Sequence, residues 1–155
     1  MTANLKRRWI EPEIFKCVVE NTPLVSIDLI VKNKEGKILL GKRKNRPARG
    51  YYFVPGGRIF KNERIEEAFK NISENELGKA LDINKAKFLG VYQHFYDDNY
   101  FGDNTGTHYV VLAYEVLEED LDLKDDEQHS DFIWLSPEEI LKSKNVHPYT
   151  KDYFR

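Results

Sequence analysis

The stretch from Gly56 to Gly78 constrains this chain more than any other part of it. Tyr52 to Val54 reads as a short strand, and Pro55-Gly56-Gly57 reads as a turn. Gly57 is followed by five residues and then Glu63; further on come Glu76, Leu77 and Gly78. Between Arg64 and Leu77 the apolar residues Ile65, Ala68, Phe69, Ile72 and Leu77 recur at helical spacing, and Gly78 suits a C-terminal cap. A strand, a glycine turn and a capped helix therefore carry acids at set positions. Glu63 is placed to cap or orient the start of the helix.

The flanking sequence supplies a sheet. Pro12 to Asn21 reads as a helix opened by Pro12, with Ile14, Cys17 and Val18 on one face. Leu24 to Lys32 alternates, with Val25, Ile27, Leu29 and Val31 on one side and Ser26 and Asp28 on the other, as in a half-buried strand. A turn at Asn33 to Gly36 returns the chain along Lys37 to Lys42. Lys87 to Phe95, His108 to Val116 and Phe132 to Leu135 read as further strands. Ser136-Pro137-Glu138-Glu139 is a capping box opening a last helix. The expected fold is an α/β sandwich, α/β/α in layering, on a mixed sheet.

At 155 residues, without repeat or linker, the chain is expected to form one domain over 1–155. Its net charge of -2 gives no global basic field for nucleic acid. No apolar run reaches the length of a membrane span, and the polar start lacks a signal-peptide core. With Cys17 the lone cysteine, a reducing, cytoplasmic setting is expected, and Cys17 itself is expected to be buried among Ile14, Phe15, Val18 and Val19.

Gly56-Gly57-(five residues)-Glu63 with Glu76-Leu77-Gly78 resembles the Nudix signature, whose bearers hydrolyse nucleoside diphosphates linked to another moiety. The match spans about 23 residues. It implies a divalent cation, Mg²⁺ or Mn²⁺, with the Gly56 carbonyl and the Glu76 carboxylate among its oxygen ligands. An acid in the last turn of a helix opposes the macrodipole, which argues against Glu76 being an incidental surface residue. The signature usually reads Arg-Glu-X-X-Glu-Glu where this chain has Asn71-Ile72-Ser73-Glu74-Asn75-Glu76. Positions 72, 75 and 76 share a helix face, so one carboxylate stands where three would hold several metals. A single-metal site is the expectation, and Asn71 cannot offer a charged fork.

A narrower resemblance runs from Asn21 to Phe154. Thr22-Pro23-Leu24-Val25-Ser26, Asn45-Arg46-Pro47-Ala48, Gln93-His94-Phe95-Tyr96-Asp97-Asp98-Asn99, Thr107-His108-Tyr109, Asp126-Glu127-Gln128-His129 and Asn145-Val146-His147 are similar to the GDP-mannose mannosyl hydrolases of that family. This resemblance implies attack of water on sugar C1 with inversion, releasing GDP from GDP-mannose or GDP-glucose. It implies Gln128 as a third metal ligand and His129 as general base; an ordinary histidine is largely neutral at physiological pH and can take a proton. Gln128-His129 otherwise sits in Glu118–Asp131, whose eight acids and one lysine read as a solvated loop. Arg43 opens a loop of five basic residues, Lys42 to Arg49, suited to a diphosphate. By the same resemblance Arg43 and Tyr109 assist the departing diphosphate, Arg58 contacts the nucleotide, Asp28 and His94 bind or orient substrate, and the chain is a homodimer. Two alternatives stand beside this: pyrophosphate cleavage at phosphorus, and a silent domain that binds a nucleotide sugar.

Overall fold

The computed structural model describes residues 9–101, 105–121, 123 and 129–155, with His129 described in its main chain. Helix α1 (Pro12–Asn21) leads into strand β1 (Leu24–Lys32). The turn into β2 (Ile38–Arg43) is held by the Asn33 side chain, which accepts hydrogen bonds from the N–H groups of Glu35 and Lys37. Short strands β3 (Tyr52–Phe53) and β4 (Gly56–Arg58) precede helix α2 (Ile65–Leu77), which ends at Gly78 in the left-handed conformation. A 3₁₀ turn at Ile83–Lys85 is followed by β5 (Lys87–Tyr96), β6 (Thr107–Leu117), β7 (His129–Leu135), α3 (Pro137–Lys142) and α4 (Pro148–Lys151).

The strands form one mixed sheet in the order β3-β2-β1-β6-β5, with β4 also paired to β1 and β7 to β2. β1 and β6 run parallel from Leu24↔Tyr109 to Lys32↔Leu117, and the other pairings are antiparallel. One face packs on α2, where Ile27, Leu29 and Val31 meet Ala68, Phe69, Ile72 and Leu77. On the other, Ile30, Ile38, Leu40, Val54 and Ala113 lie under Ile140 and Val146. Each large apolar side chain buried this way contributes about 1.5–3 kcal/mol. The α/β sandwich on a mixed sheet is thus the one the sequence leads one to expect.

Several local expectations are corrected. β1 is not half-buried: Leu24, Ser26, Ile27 and Leu29 to Val31 are all buried, and Val25 is the exposed residue. A central strand covered on both faces loses its alternation. Helix α1 buries Val19 and turns Phe15 inward, four residues apart, so Ile14 and Cys17 face solvent and Cys17 is exposed rather than buried. The Gly56-Gly57 turn is a strand, held to β1 through Ser26↔Arg58, Ile27↔Gly57 and Asp28↔Gly56. The last strand starts at His129, not Phe132, which puts His129 in the sheet instead of a loop. The capping box is as read: Ser136 accepts from the Glu139 N–H, and Glu139 from the Ser136 N–H.

Candidate active site

The even-numbered residues of β1 explain how the site is built. Leu24, Ser26 and Asp28 point away from α2, and the ladders carry Tyr109 of β6 opposite Leu24, His94 of β5 opposite Tyr109, and Arg58 and Gly56 of β4 opposite Ser26 and Asp28. These residues floor a cleft of about 610 Å³, within the usual range for small-ligand sites. Arg43, Pro47, Tyr96 and Thr107 line it too, and Trp9, Phe15 and Phe60 lie at its apolar side. This side of β1 therefore forms the floor of the cleft.

Of the three arginines that line this cleft, Arg43, Arg46 and Arg58, the first and the last are held differently. Arg43 ends β2, and its Nε donates to the Pro47 carbonyl at 3.0 Å, which anchors the guanidinium through one nitrogen and leaves the terminal pair for a ligand. The Arg58 guanidinium is stacked on two rings, 4.5 Å from the centre of Phe15 and 4.7 Å from that of Phe60. Burial pulls its pKa below the usual arginine value. Burial also raises the Tyr109 phenol, while Arg43 and Arg58 pull it back, so at neutral pH it is an O–H donor beside two cations.

Asp28 and His94 share the same chamber. Burial raises the Asp28 carboxyl to about 6, against a hydrogen bond from Tyr153 and the charge of Arg43, which lower it. His94 is 4% exposed, and burial, with His147 adding to it, lowers its pKa to about 4, so the imidazole is neutral. Its Nε2 is buried without a hydrogen-bond partner in a residue that lines the cleft. A neutral ring with an unmet nitrogen can receive or donate to a hydroxyl of a ligand.

Of the two groups expected to hold a cation, Gly56 lines the cleft and Glu76 lies on α2. Leu29 N–H bonds the Pro55 carbonyl at 2.8 Å, and Ile59 N–H bonds that of Val25 at 2.7 Å. Hydrogen-bonded and non-hydrogen-bonded pairs alternate in such a ladder, so Asp28↔Gly56 is non-bonded and the Gly56 carbonyl turns away from β1. Ile72 packs on Gly57, and Glu76 lies one turn further along the same helix face with its Oε1 buried. Carbonyl and carboxylate oxygens suit Mg²⁺ or Mn²⁺. Ile72 is in the core and Asn75 is exposed, so neither adds a charge there. Among the described residues, no three His, Cys, Asp or Glu side chains gather into a metal-binding group. Gln128, the expected third ligand, lies outside the described residues.

Gly56 has no room for a side chain. A Cβ there would stand 2.5 Å from Asp28 Oδ1 and 2.6 Å from the Ile27 carbonyl. Gly56→Ala is expected to lever β4 off β1, at a cost of about 1–3 kcal/mol in urea unfolding. An alanine variant as stable as the parent would show that the two strands approach less closely than this.

Glu63 braces the loop that precedes α2. Its Oε1 accepts from the Phe60 N–H at 2.8 Å and its Oε2 from Asn71 Nδ2 at 2.9 Å. The departure at Asn71 thus has a structural partner: one amide donor ties the helix to Glu63. Of the other expected residues, Arg43, Arg58, Tyr109, Asp28 and His94 meet in the cleft. The main chain of His129 pairs with that of Arg43 across β2 and β7. Tyr96, Phe15 and Tyr153 were not singled out in the sequence; the tyrosines four apart at 149 and 153 were the available signal.

The comparisons agree with this architecture. The NUDIX domain model matches residues 22–155, and the chain belongs to that family of hydrolases, which generally use divalent metals. The chain is 39% identical over 144 residues to the Low-salt glycan biosynthesis protein Agl8 of Haloferax volcanii, covering 93% of this chain and 88% of that one. It is 32% identical over 135 residues to an ADP-ribose pyrophosphatase of Methanocaldococcus jannaschii, covering 86% and 74%. Among solved structures, a MutT NUDIX hydrolase from Burkholderia pseudomallei superimposes with a TM-score of 0.69 at 26% identity, over 86% of this chain and 97% of that one. Among the described residues, no helix is long and apolar enough to cross a membrane.

Proposed function

We propose that this protein hydrolyses a GDP-sugar, GDP-mannose or GDP-glucose, to GDP and free sugar by attack of water at sugar C1 with inversion. The observation that carries this is the single cleft in which Arg43, Arg58 and Tyr109 stand with Asp28 and His94, while the helix face that would multiply metals holds Ile72 and Asn75. Substitution at carbon needs a stabilised diphosphate leaving group and an activated water. It does not need several cations around phosphorus. The relative named for glycan biosynthesis fits a sugar-bearing substrate.

In this reading Arg43 takes the diphosphate through its terminal nitrogens, and the Tyr109 O–H donates to an oxygen on which charge develops as the C1–O bond breaks. Arg58 holds the nucleotide side of the diphosphate. Asp28 and His94 receive the sugar hydroxyls and aim C1. His129 takes the proton from the attacking water. Gly56, Glu76 and Gln128 would hold one Mg²⁺ or Mn²⁺, which when bound neutralises diphosphate charge. The working unit is a homodimer acting on a small nucleotide sugar, with neither nucleic acid nor membrane as partner, in the cytoplasm.

Hydrolysis in ¹⁸O-labelled water tests this. The label is expected in the sugar, with an α-linked donor giving the β anomer first. Label in a phosphate product would instead establish pyrophosphate cleavage at phosphorus, the reading that the pyrophosphatase relative favours.

A further inference from the structure

Behind the cleft, the last turn of the chain is fastened to the site by two tyrosines. Tyr149 Oη donates to the Phe95 carbonyl at 2.8 Å and accepts from the Phe95 N–H at 2.9 Å, and its ring is stacked on His94 at 4.3 Å between centres and 8° between planes. One turn on, Tyr153 donates from Oη to Asp28 Oδ2, a contact 125 residues apart in sequence. The Tyr153 ring stands edge-on to Tyr92 at 4.7 Å, which fixes the direction of the hydroxyl without help from Asp28. The other carboxyl oxygen, Oδ1, stays beside Gly56. Asp28 is thus gripped through one oxygen, and the residue lines the cleft.

We propose that Tyr153 is a positioning residue: by holding one oxygen of Asp28 from behind, it aims the other at the sugar of the bound nucleotide. The proposal rests on the GDP-sugar reading above. It makes the C-terminal segment part of the site that selects substrate, although Tyr153 itself touches no ligand. An unheld aspartate samples its rotamers, and the sugar must then pay for ordering it. A nucleotide without the sugar is indifferent to that loss. A residue serving only the fold would weaken both ligands alike.

Tyr153→Phe removes one oxygen and keeps the ring on Tyr92, so the chain is expected to fold. In titration calorimetry, GDP-mannose is expected to bind about tenfold more weakly to this variant, a typical cost for a hydrogen bond to a charged group. GDP is expected to change by less than about twofold. In an Asp28→Asn background, which already loses the sugar preference, Tyr153→Phe is expected to add nothing, since two residues acting through one contact are not additive. Equal weakening of both ligands, or independent effects of the two substitutions, overturns the proposal. Should the parent enzyme put ¹⁸O into phosphate and bind the two ligands alike, the GDP-sugar reading falls on its own. The crystal structure of Tyr153→Phe then decides: a carboxyl turned from its place beside Gly56 upholds the positioning role, and an unmoved one refutes it.

Discussion

Replacing His129 with glutamine is expected to lower kcat for GDP-mannose at least about 100-fold, the usual cost of removing a positioned base. Glutamine keeps much of the size and hydrogen-bonding reach of histidine but takes no proton. The ladder that places position 129 is made by main-chain groups, Arg43↔His129 and Lys42↔Ser130, so it survives the change. The melting temperature is accordingly expected to stay within a few degrees, and KM within a few-fold. A variant that retained a tenth of the parent turnover would remove His129 from the chemistry. The reaction would then need another base.

Arg43→Ala is expected to reduce kcat/KM for the same substrate about 100- to 1000-fold, in the range found when a donor aimed at developing charge is lost. The geometry makes this arginine hard to replace. Its Nε is committed to the Pro47 carbonyl, and the loop it begins is closed by hydrogen bonds from the Arg43 N–H to the Tyr51 carbonyl and from the Gly50 N–H to the Arg43 carbonyl, each 2.9 Å. The terminal nitrogens are thereby presented as a fixed fork. Arg43→Lys restores the charge without the fork and is expected to recover a small part of the loss. Full recovery by lysine would mean that charge alone is needed at this position. Steady-state assays of the three proteins side by side distinguish these outcomes.

The two predictions concern residues that stood out in the sequence at different levels. Arg43 stood out as one of five bases in a short loop, which suggested phosphate but did not choose among them. Strand pairing adds what the loop does not show: the end of β2 meets β7, and so sets the main chains of Arg43 and His129 opposite one another from 86 residues apart. His129 itself looked like part of an acidic, solvated run, because charge density was the strongest local signal there. Strand pairing outweighs it from position 129 onward.

Local pattern determined what depends on neighbours along the chain. The helix from Ile65, its glycine cap, the Ser136 capping box and the turn at Asn33 all follow from spacing and backbone preference, which act over a few residues. The signature glycines marked the region of the cleft for the same reason. Only the tertiary structure decided which face of α1 is inside, since Phe15 and Ile14 are equally apolar and the partner across the cleft selects Phe15. It alone made β1 a central strand, turned Gly56-Gly57 from a turn into a rung beside Asp28, and set Asn71 against Glu63. It alone brought Tyr153 to Asp28. Such contacts join residues far apart in sequence, and their energy comes from shape and burial that exist once the sheet has closed.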